Sequence, residues 1–278
     1  MPHQILTSAK SAMLKKYKDH VEERLQQGIP PLPLNAEQVA DLVELLKSPP
    51  AGEEEFILDL IKNRTPAGVD PAAYVKAAFL TALAKGETSS PLIDKKLATE
   101  LLGTMLGGYN VESLIKLLKD EEVGAIAADG LSKTLLMFNA KHDVIELAAE
   151  NENAKRVVES WSNGEWFTSK SKLPEVIKAI VFRVDGEINT DDFSPAQDAP
   201  SRPDIPLHAL AMLKKNMEDP IGTIEKLKES GLPVVFVGDV VGTGSSRKSA
   251  TNSLLWHIGE DIPFCLLYTS PSPRDPRE

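Results

Sequence analysis

The spacing of apolar residues changes once along the 278-residue chain, near Trp166, and this change constrains the fold more than any other feature. Before Trp166, apolar residues recur every three or four positions, which is typical of amphipathic helices. After it, short runs rich in β-branched residues alternate with helical segments, as they do in α/β domains. We therefore predict an α + α/β protein, with a helical domain at residues 13–166, a linker at 167–175 and an α/β domain at 176–263.

Boundary signals divide the first region into short helices joined by polar turns. Asn35 and Gln38 have the spacing of a capping box at the start of one helix. Asp70 precedes Pro71 as an N-cap, and Gly86 closes the same helix at its C′ position. Antiparallel pairs of such helices suit an α-solenoid of the HEAT type, and an irregular helical bundle suits them equally well. The helix pattern leaves these two architectures open.

Two apolar runs in the second region predict strands, at 176–184 and 233–238. The second run is bounded by glycine and is predicted to be buried. Asp185 and Gly186 follow the first run and predict a turn. Helices are predicted at Pro206–Lys215, at Ile221–Glu229 and from about Ser245 to Ile258.

The segment Gly238–Ala250 (GDVVGTGSSRKSA) holds the densest set of candidate binding groups. A strand enters a loop and a helix leaves it, and Gly242 and Gly244 permit close backbone approach there. The side chains that open the helix are Ser245, Ser246, Arg247 and Lys248. Together with the free N–H groups of the first helical turn, they predict a nest for a phosphate or a carboxylate.

The identity of residue 247, an arginine, distinguishes between a phosphate and a carboxylate as the ligand. The Walker A loop and the dinucleotide pattern Gly-x-Gly-x-x-Gly both require glycine at the position that Arg247 occupies. A large side chain there obstructs a tight wrap around phosphate, so a carboxylate is favoured. A glycine-rich turn with a capping serine and no ligand is the structural alternative.

A second polar segment, Asn189–Pro195 (NTDDFSP), contains the adjacent acids Asp191 and Asp192. Loops commonly use such residues to bond their own backbone, which is the alternative to a role in binding. Arg202 lies before a proline, and a guanidinium can hold a carboxylate through two parallel hydrogen bonds. Arg202 is therefore a second candidate ligand for a carboxylate.

Charge and cysteine content exclude several classes of protein. Lys and Arg number 31 against 41 Asp and Glu, so the formal net charge of −10 gives RNA binding no support. The single cysteine, Cys265, excludes an intrachain disulfide and a self-contained zinc or iron–sulfur site, so no metal site is predicted. Residues 1–12 lack a signal-peptide pattern, and no run has the length of a membrane span. The expected location is the cytoplasm.

Taken together, five motifs resemble the N-terminal part of the bacterial aconitase B family, over Met13 to Pro263. They are Ala51–Phe56 (AGEEEF), Gly103–Met105 with Gly107–Asn110 (GGYN), Asn189–Asp192 (NTDD), Ser201–His208 (SRPDIPLH) and Val237–Ser253 (VGDVVGTGSSRKSATNS). The resemblance implies an N-terminal HEAT-like α-solenoid followed by a truncated α/β swivel domain. It also implies a possible role of the helical domain in forming a homodimer.

The same resemblance implies the chemistry of an aconitate hydratase, a lyase of the tricarboxylic acid cycle that interconverts citrate and isocitrate through cis-aconitate. Dehydration of 2-methylisocitrate is a further reaction of the family. Ser245 matches the serine that acts as the base, and Arg202, Ser246 and Arg247 match residues that bind substrate carboxylates. Supporting roles are expected for Asp191, Asp192, Gly242, Gly244 and Lys248.

The family holds a [4Fe–4S] cluster through three cysteines, and this chain has one. We therefore expect the cluster to belong to a full-length parent, and this chain to bind none and to be inactive by itself. Residues 1–12 are interpreted as an extension before the family-like start at Met13, and residues 264–278 as foreign sequence. The alternatives are a stand-alone carboxylate-binding module and a protein-interaction module without catalysis.

Overall fold

A computed structural model describes residues 2–105, 107–134, 137–169, 175–245 and 247–259, with side chains described from Ala12 onward except that of Arg247. The chain forms two compact units. The first comprises Met1–His20 and Pro33–Lys172, and the second comprises Val21–Leu32 and Leu173–Glu278. Within the described ranges, every helix is too short or too polar to cross a membrane.

The regular elements of the first unit, in its described part, are helices joined by turns and loops. Its helices are α1 (Pro2–Gln26, which belongs to the second unit from Val21 onward), α2 (Ala36–Lys47), α3 (Glu54–Asn63), α4 (Pro71–Ala84), α5 (Lys95–Gly103), α6 (Val111–Leu117), α7 (Gly124–Lys133), α8 (Lys141–Leu147), α9 (Glu152–Asn163) and α10 (Glu165–Thr168), with a 3-10 turn at Phe138–Ala140. The most extensive helix packing joins α2 to α4, α4 to α5, α5 to α7 and α7 to α9, so each of these helices packs on near neighbours in the chain.

The boundary signals of the first unit act as predicted. Asn35 and Gln38 form the capping box, with both reciprocal hydrogen bonds at 2.9 Å. The carboxylate of Asp70 accepts a hydrogen bond from the N–H of Ala72 at 2.8 Å, with proline at the first helical position. These caps satisfy N–H groups that a helix cannot pair internally, so they fix where α2 and α4 begin.

A close approach of two glycines sets the crossing of α5 and α7. A Cβ atom built on Gly103 would lie 3.0 Å from the Cα of Gly130, and one built on Gly130 would lie 2.8 Å from the Cα of Gly103. Larger residues at either position would force the two helices apart. The GTM segment of the sequence therefore has a packing role within the helical unit.

The second unit combines two strands with short helices. Its elements are β1 (Ile180–Asn189), α11 (Thr190–Phe193), a 3-10 turn at Ala196–Ser201, α12 (Ile205–Ala209), α13 (Pro220–Lys228), β2 (Val234–Thr243) and α14 (Arg247–Ile258). In the described part of the unit, β1 and β2 form a parallel two-stranded sheet whose register runs from Ile180 opposite Val234 to Asn189 opposite Thr243. A helical unit followed by an α/β unit agrees with the predicted α + α/β class.

One face of this sheet forms the core of the second unit. Phe182, Val184 and Ile188 alternate along β1 and point to the same side, where they are buried. Phe236 of β2 packs on Phe182 and Phe193, with ring centroids at 5.9 and 5.1 Å. The other buried members of this core are Met212, Leu213, Ile224, Val234 and Ala250.

The opposite face of β2 departs from the prediction of a buried strand. Val234 is buried, but Val235 and Val237 are 43% and 41% exposed. An apolar run indicates a strand covered on both faces only when elements pack on each side. In the described structure the helices of this unit cover one side, so the buried-strand prediction is wrong for the other.

The predicted turn at Asp185 and Gly186 is also wrong. β1 continues through both residues, and its register with β2 shifts between Val184 and Glu187. Gly186 adopts φ of 86°, and its N–H donates to the Asp239 carboxylate at 2.8 Å. Glycine inside a strand commonly marks a bulge, which accommodates the irregular backbone without ending the strand.

The helix predicted at 206–215 is shorter, because α12 ends at Ala209 and turns follow. Leu213 has a positive φ of 59°, and its N–H donates to the carbonyl oxygen of Asp192 at 2.8 Å. That long-range hydrogen bond takes the N–H group away from a helical partner. It also joins this segment to the end of the sheet where the candidate site lies.

Candidate functional site

The parallel register brings the carboxyl ends of β1 and β2 to the same edge of the sheet, with Asn189 opposite Thr243. The polar segment Asn189–Asp192 begins at the last residue of β1, and the glycine-rich segment Gly242–Ser245 begins with the last two residues of β2. Ligands of α/β sheets bind beyond the carboxyl ends of the strands. Two motifs that are about fifty residues apart in the chain therefore meet where such a site is expected.

The contact between the two segments depends on Gly244. Its φ of 102° favours glycine, and a Cβ atom there would lie 2.6 Å from Thr190 Oγ1. Gly242 also has a positive φ, 82°, but a Cβ there would meet nothing within 4 Å. Both glycines thus allow the backbone conformation of the loop. Of the two, Gly244 also allows the loop to approach Thr190, at the end of β1.

Asp192 serves the backbone of its own loop. Asn189 Oδ1 accepts hydrogen bonds from the N–H groups of Asp191 and Asp192 at 2.7 and 3.1 Å. In return, Asp192 Oδ2 accepts from the N–H of Asn189 at 2.8 Å, which completes a capping box around α11. Asp191 is exposed. The contacts of Asp192 match the local alternative named for this pair.

Ser245 and Lys248 are both exposed at the start of α14. Ser245 immediately precedes the two residues whose side chains are not described. Ser246 lies outside the described residues, and Arg247 is described only as the first residue of α14. The backbone course places Ser245, Arg247 and Lys248 together at the N-terminal end of α14, which is the positive end of its dipole.

Arg202 is tied to the other side of this edge. Its Nη2 donates to the carbonyl oxygen of Ser194 at 3.3 Å, and Ser194 is the C-cap of α11. Helix α11 begins at the Asn189 cap and packs against α14. The structure therefore links Arg202 through α11 to both polar segments of the sheet edge.

His208 is a functional candidate that sequence reasoning missed. It is buried, and its Nε2 lies 2.8 Å from Ser194 Oγ while its Nδ1 lies 2.8 Å from Ser201 Oγ. Burial lowers the pKa of His208, the Asp198 carbonyl opposes this, and the nearby Arg202 charge lowers the pKa further. The only sequence signal was its place in the SRPDIPLH motif, which indicates no role.

A buried ion pair anchors the chain two residues after Arg202, at Asp204. Arg24 Nη1 and Nη2 contact the two carboxylate oxygens of Asp204 at 2.6 and 2.8 Å, and Arg24 Nε donates to Pro30 O at 2.8 Å. Asp204 also caps α12 through the N–H of Leu207 at 3.3 Å. Because the pair spans 180 positions of sequence, no local pattern could have predicted it.

A small cavity of about 20 Å³ lies beside Asp191, Asp192, Lys214 and Lys215. A space of that size holds one water molecule and cannot hold a tricarboxylate. Among the described residues, no group of three His, Cys, Asp or Glu side chains could bind a metal ion. Cys265 lies outside the described residues.

The fold and the edge define a class, namely a two-unit α + α/β protein with a candidate anion site at the carboxyl end of a parallel sheet. Sequence-family profiles specify it further. The profile for the aconitate B N-terminal domain matches residues 16–167, and that for the aconitate hydratase 2 N-terminus matches residues 179–268. The chain belongs to the aconitase B family.

Individual relatives agree with this assignment. Aconitate hydratase B of Pseudomonas aeruginosa is 62% identical over 263 residues, which cover 91% of this chain and 30% of that protein. The proteins of the same name from Synechocystis and Escherichia coli are each 59% identical, over 91% and 90% of this chain. The chain spans about 30% of the length of these relatives.

Proposed function

We propose that this chain is the N-terminal part of an aconitate hydratase that interconverts citrate and isocitrate through cis-aconitate, with 2-methylisocitrate as a further substrate. The observation that carries the proposal is the meeting of Asn189–Asp192 and Gly242–Ser245 at one sheet edge. Family membership over nearly the whole chain supports it. A tricarboxylate needs several cationic and N–H donors in one place, and in this proposal the residues at this edge supply them.

In this proposal Ser245 is the base that removes a proton from the substrate, and Arg202, Ser246 and Arg247 hold its carboxylates. A serine can act as a base only if its alkoxide is stabilised. Ser245 is exposed just ahead of α14, so the dipole of that helix contributes to this stabilisation. Gly242 and Gly244 shape the glycine-rich loop, and Lys248 adds positive charge beside it. Asp191 and Asp192 support the adjacent segment at the end of β1.

The residues of this chain do not fit the [4Fe–4S] cluster of the family, because one cysteine cannot supply three thiolate ligands. We propose that the rest of a full-length parent supplies the cluster, and that this chain alone does not turn over citrate. The test is reconstitution with iron and sulfide followed by an assay of cis-aconitate formation, with a complete aconitase as positive control. Turnover by the reconstituted chain would refute the proposal.

Carboxylate binding can be tested apart from turnover. We expect tricarballylate, a tricarboxylate without a hydroxyl group, to bind the chain in a calorimetric titration. Arg247→Ala and Arg202→Ala are each expected to weaken binding by roughly tenfold or more, the scale of a lost hydrogen bond to a charged group. Lys226→Ala is the matched control, since it removes an exposed positive charge of the second unit that has no part in the proposed site. Equal losses in all three variants would indicate bulk charge and contradict a defined site.

A second candidate function is protein interaction through the first unit, which we propose to be a HEAT-like solenoid that forms a homodimer. A groove of about 350 Å³ lies between α4 and the start of α6. Tyr74 and Tyr109 are exposed there in an edge-to-face pair, with ring centroids at 5.1 Å. Exposed tyrosines are enriched at interfaces. Sedimentation of the full chain and of Tyr74→Ala tests this, and a monomer at all concentrations would exclude the dimer.

A further inference from the structure

We infer that His208 is a positioning residue that holds Arg202 in place for carboxylate binding. This inference deepens the proposed function and rests on it for the identity of the ligand. Ser194 provides the connection, because it contacts both residues. Its carbonyl oxygen accepts from Arg202 Nη2 at 3.3 Å, and its Oγ lies 2.8 Å from His208 Nε2.

The hydrogen-bond contacts, together with burial, favour one neutral form of the His208 ring. Nδ1 lies 3.1 Å from the carbonyl oxygen of Asp198, which can only accept, so Nδ1 carries the hydrogen. Ser201 Oγ donates to the same carbonyl at 2.7 Å and lies 2.8 Å from Nδ1. Nε2 is then unprotonated and accepts from the Ser194 hydroxyl. A lowered pKa, caused mainly by burial, agrees with a neutral ring.

These contacts close the segment 195–201 into a fixed loop. His208 joins the residue before the segment, Ser194, to its last residue, Ser201, and it also reaches Asp198 in between. Arg202 comes directly after the loop, so its backbone position follows from the loop's closure. A guanidinium that is held before the ligand arrives loses less conformational freedom on binding.

The ion pair of Arg24 with Asp204 fixes the chain on the far side of Arg202. Both carboxylate oxygens of Asp204 are engaged, and the arginine is buried. Arg202 therefore lies between two anchors, one made by His208 and one made by Asp204. His208 is the anchor that also touches Ser194, the acceptor for the Arg202 guanidinium.

The test compares His208→Asn with His257→Asn in the full chain. His257 is a suitable control, because it is also buried in the second unit, has a pKa lowered mainly by burial, and binds a carbonyl oxygen, that of Ala209, at 2.9 Å. His208→Asn is expected to weaken tricarballylate binding by roughly tenfold, and His257→Asn to leave the affinity unchanged below the unfolding temperature. Ser194→Ala, which keeps the carbonyl acceptor, is expected to reproduce part of the loss.

A second measurement does not depend on the ligand. NMR relaxation of the Arg202 Nε–H group is expected to show an ordered side chain in the chain without substitutions and in His257→Asn, and a mobile one in His208→Asn. His208→Gln, which keeps an acceptor near Ser194, is expected to restore part of the order.

The two measurements separate the possible failures. If this chain without any substitution fails to bind tricarballylate, the carboxylate-binding proposal is wrong. The order of the Arg202 side chain then still decides whether His208 positions it. An Arg202 side chain that stays equally ordered in His208→Asn overturns the inference. Equal losses of affinity in the His208 and His257 variants overturn it as well, because they would show a general loss of structure.

Discussion

The two units of the molecule reach their folds by different means. The helical unit builds its core mainly from leucine, alanine and valine side chains, and local caps such as Asn35 fix where helices begin. The second unit has a smaller described core behind one face of two strands, and it depends on polar links between distant segments, above all Arg24 with Asp204 and His208 with Ser194. The comparison teaches that local signals set the helix boundaries of the first unit, whereas long-range polar contacts shape the candidate site.

The largest expected effect comes from breaking the buried ion pair of the second unit. Arg24→Ala leaves the Asp204 carboxylate, which is largely buried, without its partner, so we expect a loss of about 3–5 kcal/mol. The loss should appear in the transition of the second unit, observed by chemical denaturation with a probe in each unit. A loss confined to the helical unit would contradict the assignment of Val21–Leu32 to the second unit.

The same helix provides the control. Lys18, earlier in α1, pairs with Glu53 at 2.6 Å, but both side chains are considerably exposed. Exposed pairs contribute at most about 1 kcal/mol, so Lys18→Ala should have a small effect. If Lys18→Ala and Arg24→Ala proved equally damaging, burial would not be the cause of the difference.

A smaller effect is expected at the contact between the two polar segments. Gly244→Ala combines a positive φ with a Cβ placed 2.6 Å from Thr190 Oγ1, so we expect a loss of about 2–3 kcal/mol. Gly242→Ala has the unfavourable φ without the clash, and about 1–2 kcal/mol is expected. Thermal unfolding measures both.

Removing the obstructing atom tests the cause. In a Gly244→Ala chain, Thr190→Ala deletes Oγ1 and should remove the extra loss of stability that distinguishes Gly244→Ala from Gly242→Ala. The double-mutant cycle would then show a coupling between positions 190 and 244. Strict additivity would mean that the two loops do not meet as described.

The two units should also differ in their response to acid. Burial lowers the pKa of His208 and of His257 in the second unit below the ordinary 6.5. Below that pH the unfolded chain takes up protons that the folded unit excludes, so stability falls as the pH drops through about 6.5. In the helical unit, a hydrogen bond from Lys95 lowers the pKa of Asp120 below 3.8, and stability from that pair is lost only at much lower pH.

The measurement is thermal unfolding with unit-specific probes between about pH 7 and about pH 5. The transition of the second unit is expected to move to lower temperature over this range, while that of the helical unit stays in place. Replacing both buried histidines by Asn should flatten the response. His142→Asn, which changes an exposed residue of the first unit, should leave it unchanged. A parallel shift of both transitions would contradict this account.

The sequence predicted the fold class and the capped helices α2 and α4, and it singled out the two polar segments separately, because each of these patterns lies within a few neighbouring residues. It mistook the bulge at Gly186 for a turn, since a positive φ serves either structure. The residue at which α12 ends and the position of Arg202 could not be predicted from the sequence. They depend on the bonds of Leu213 to Asp192 and of His208 to Ser194, which only the tertiary fold brings together.

The smallest effect on stability, and the last contrast between the units, concerns the uncovered face of the sheet. Val235 and Val237 are both more than 40% exposed, and an exposed apolar strand favours association between chains. Val235→Thr together with Val237→Thr keeps the β-branched shape, so we expect a change in unfolding free energy within about 0.5 kcal/mol. Light scattering during prolonged incubation should nevertheless decrease. Unchanged scattering in this variant, with a decrease in Tyr74→Ala instead, would place the association surface on the helical unit.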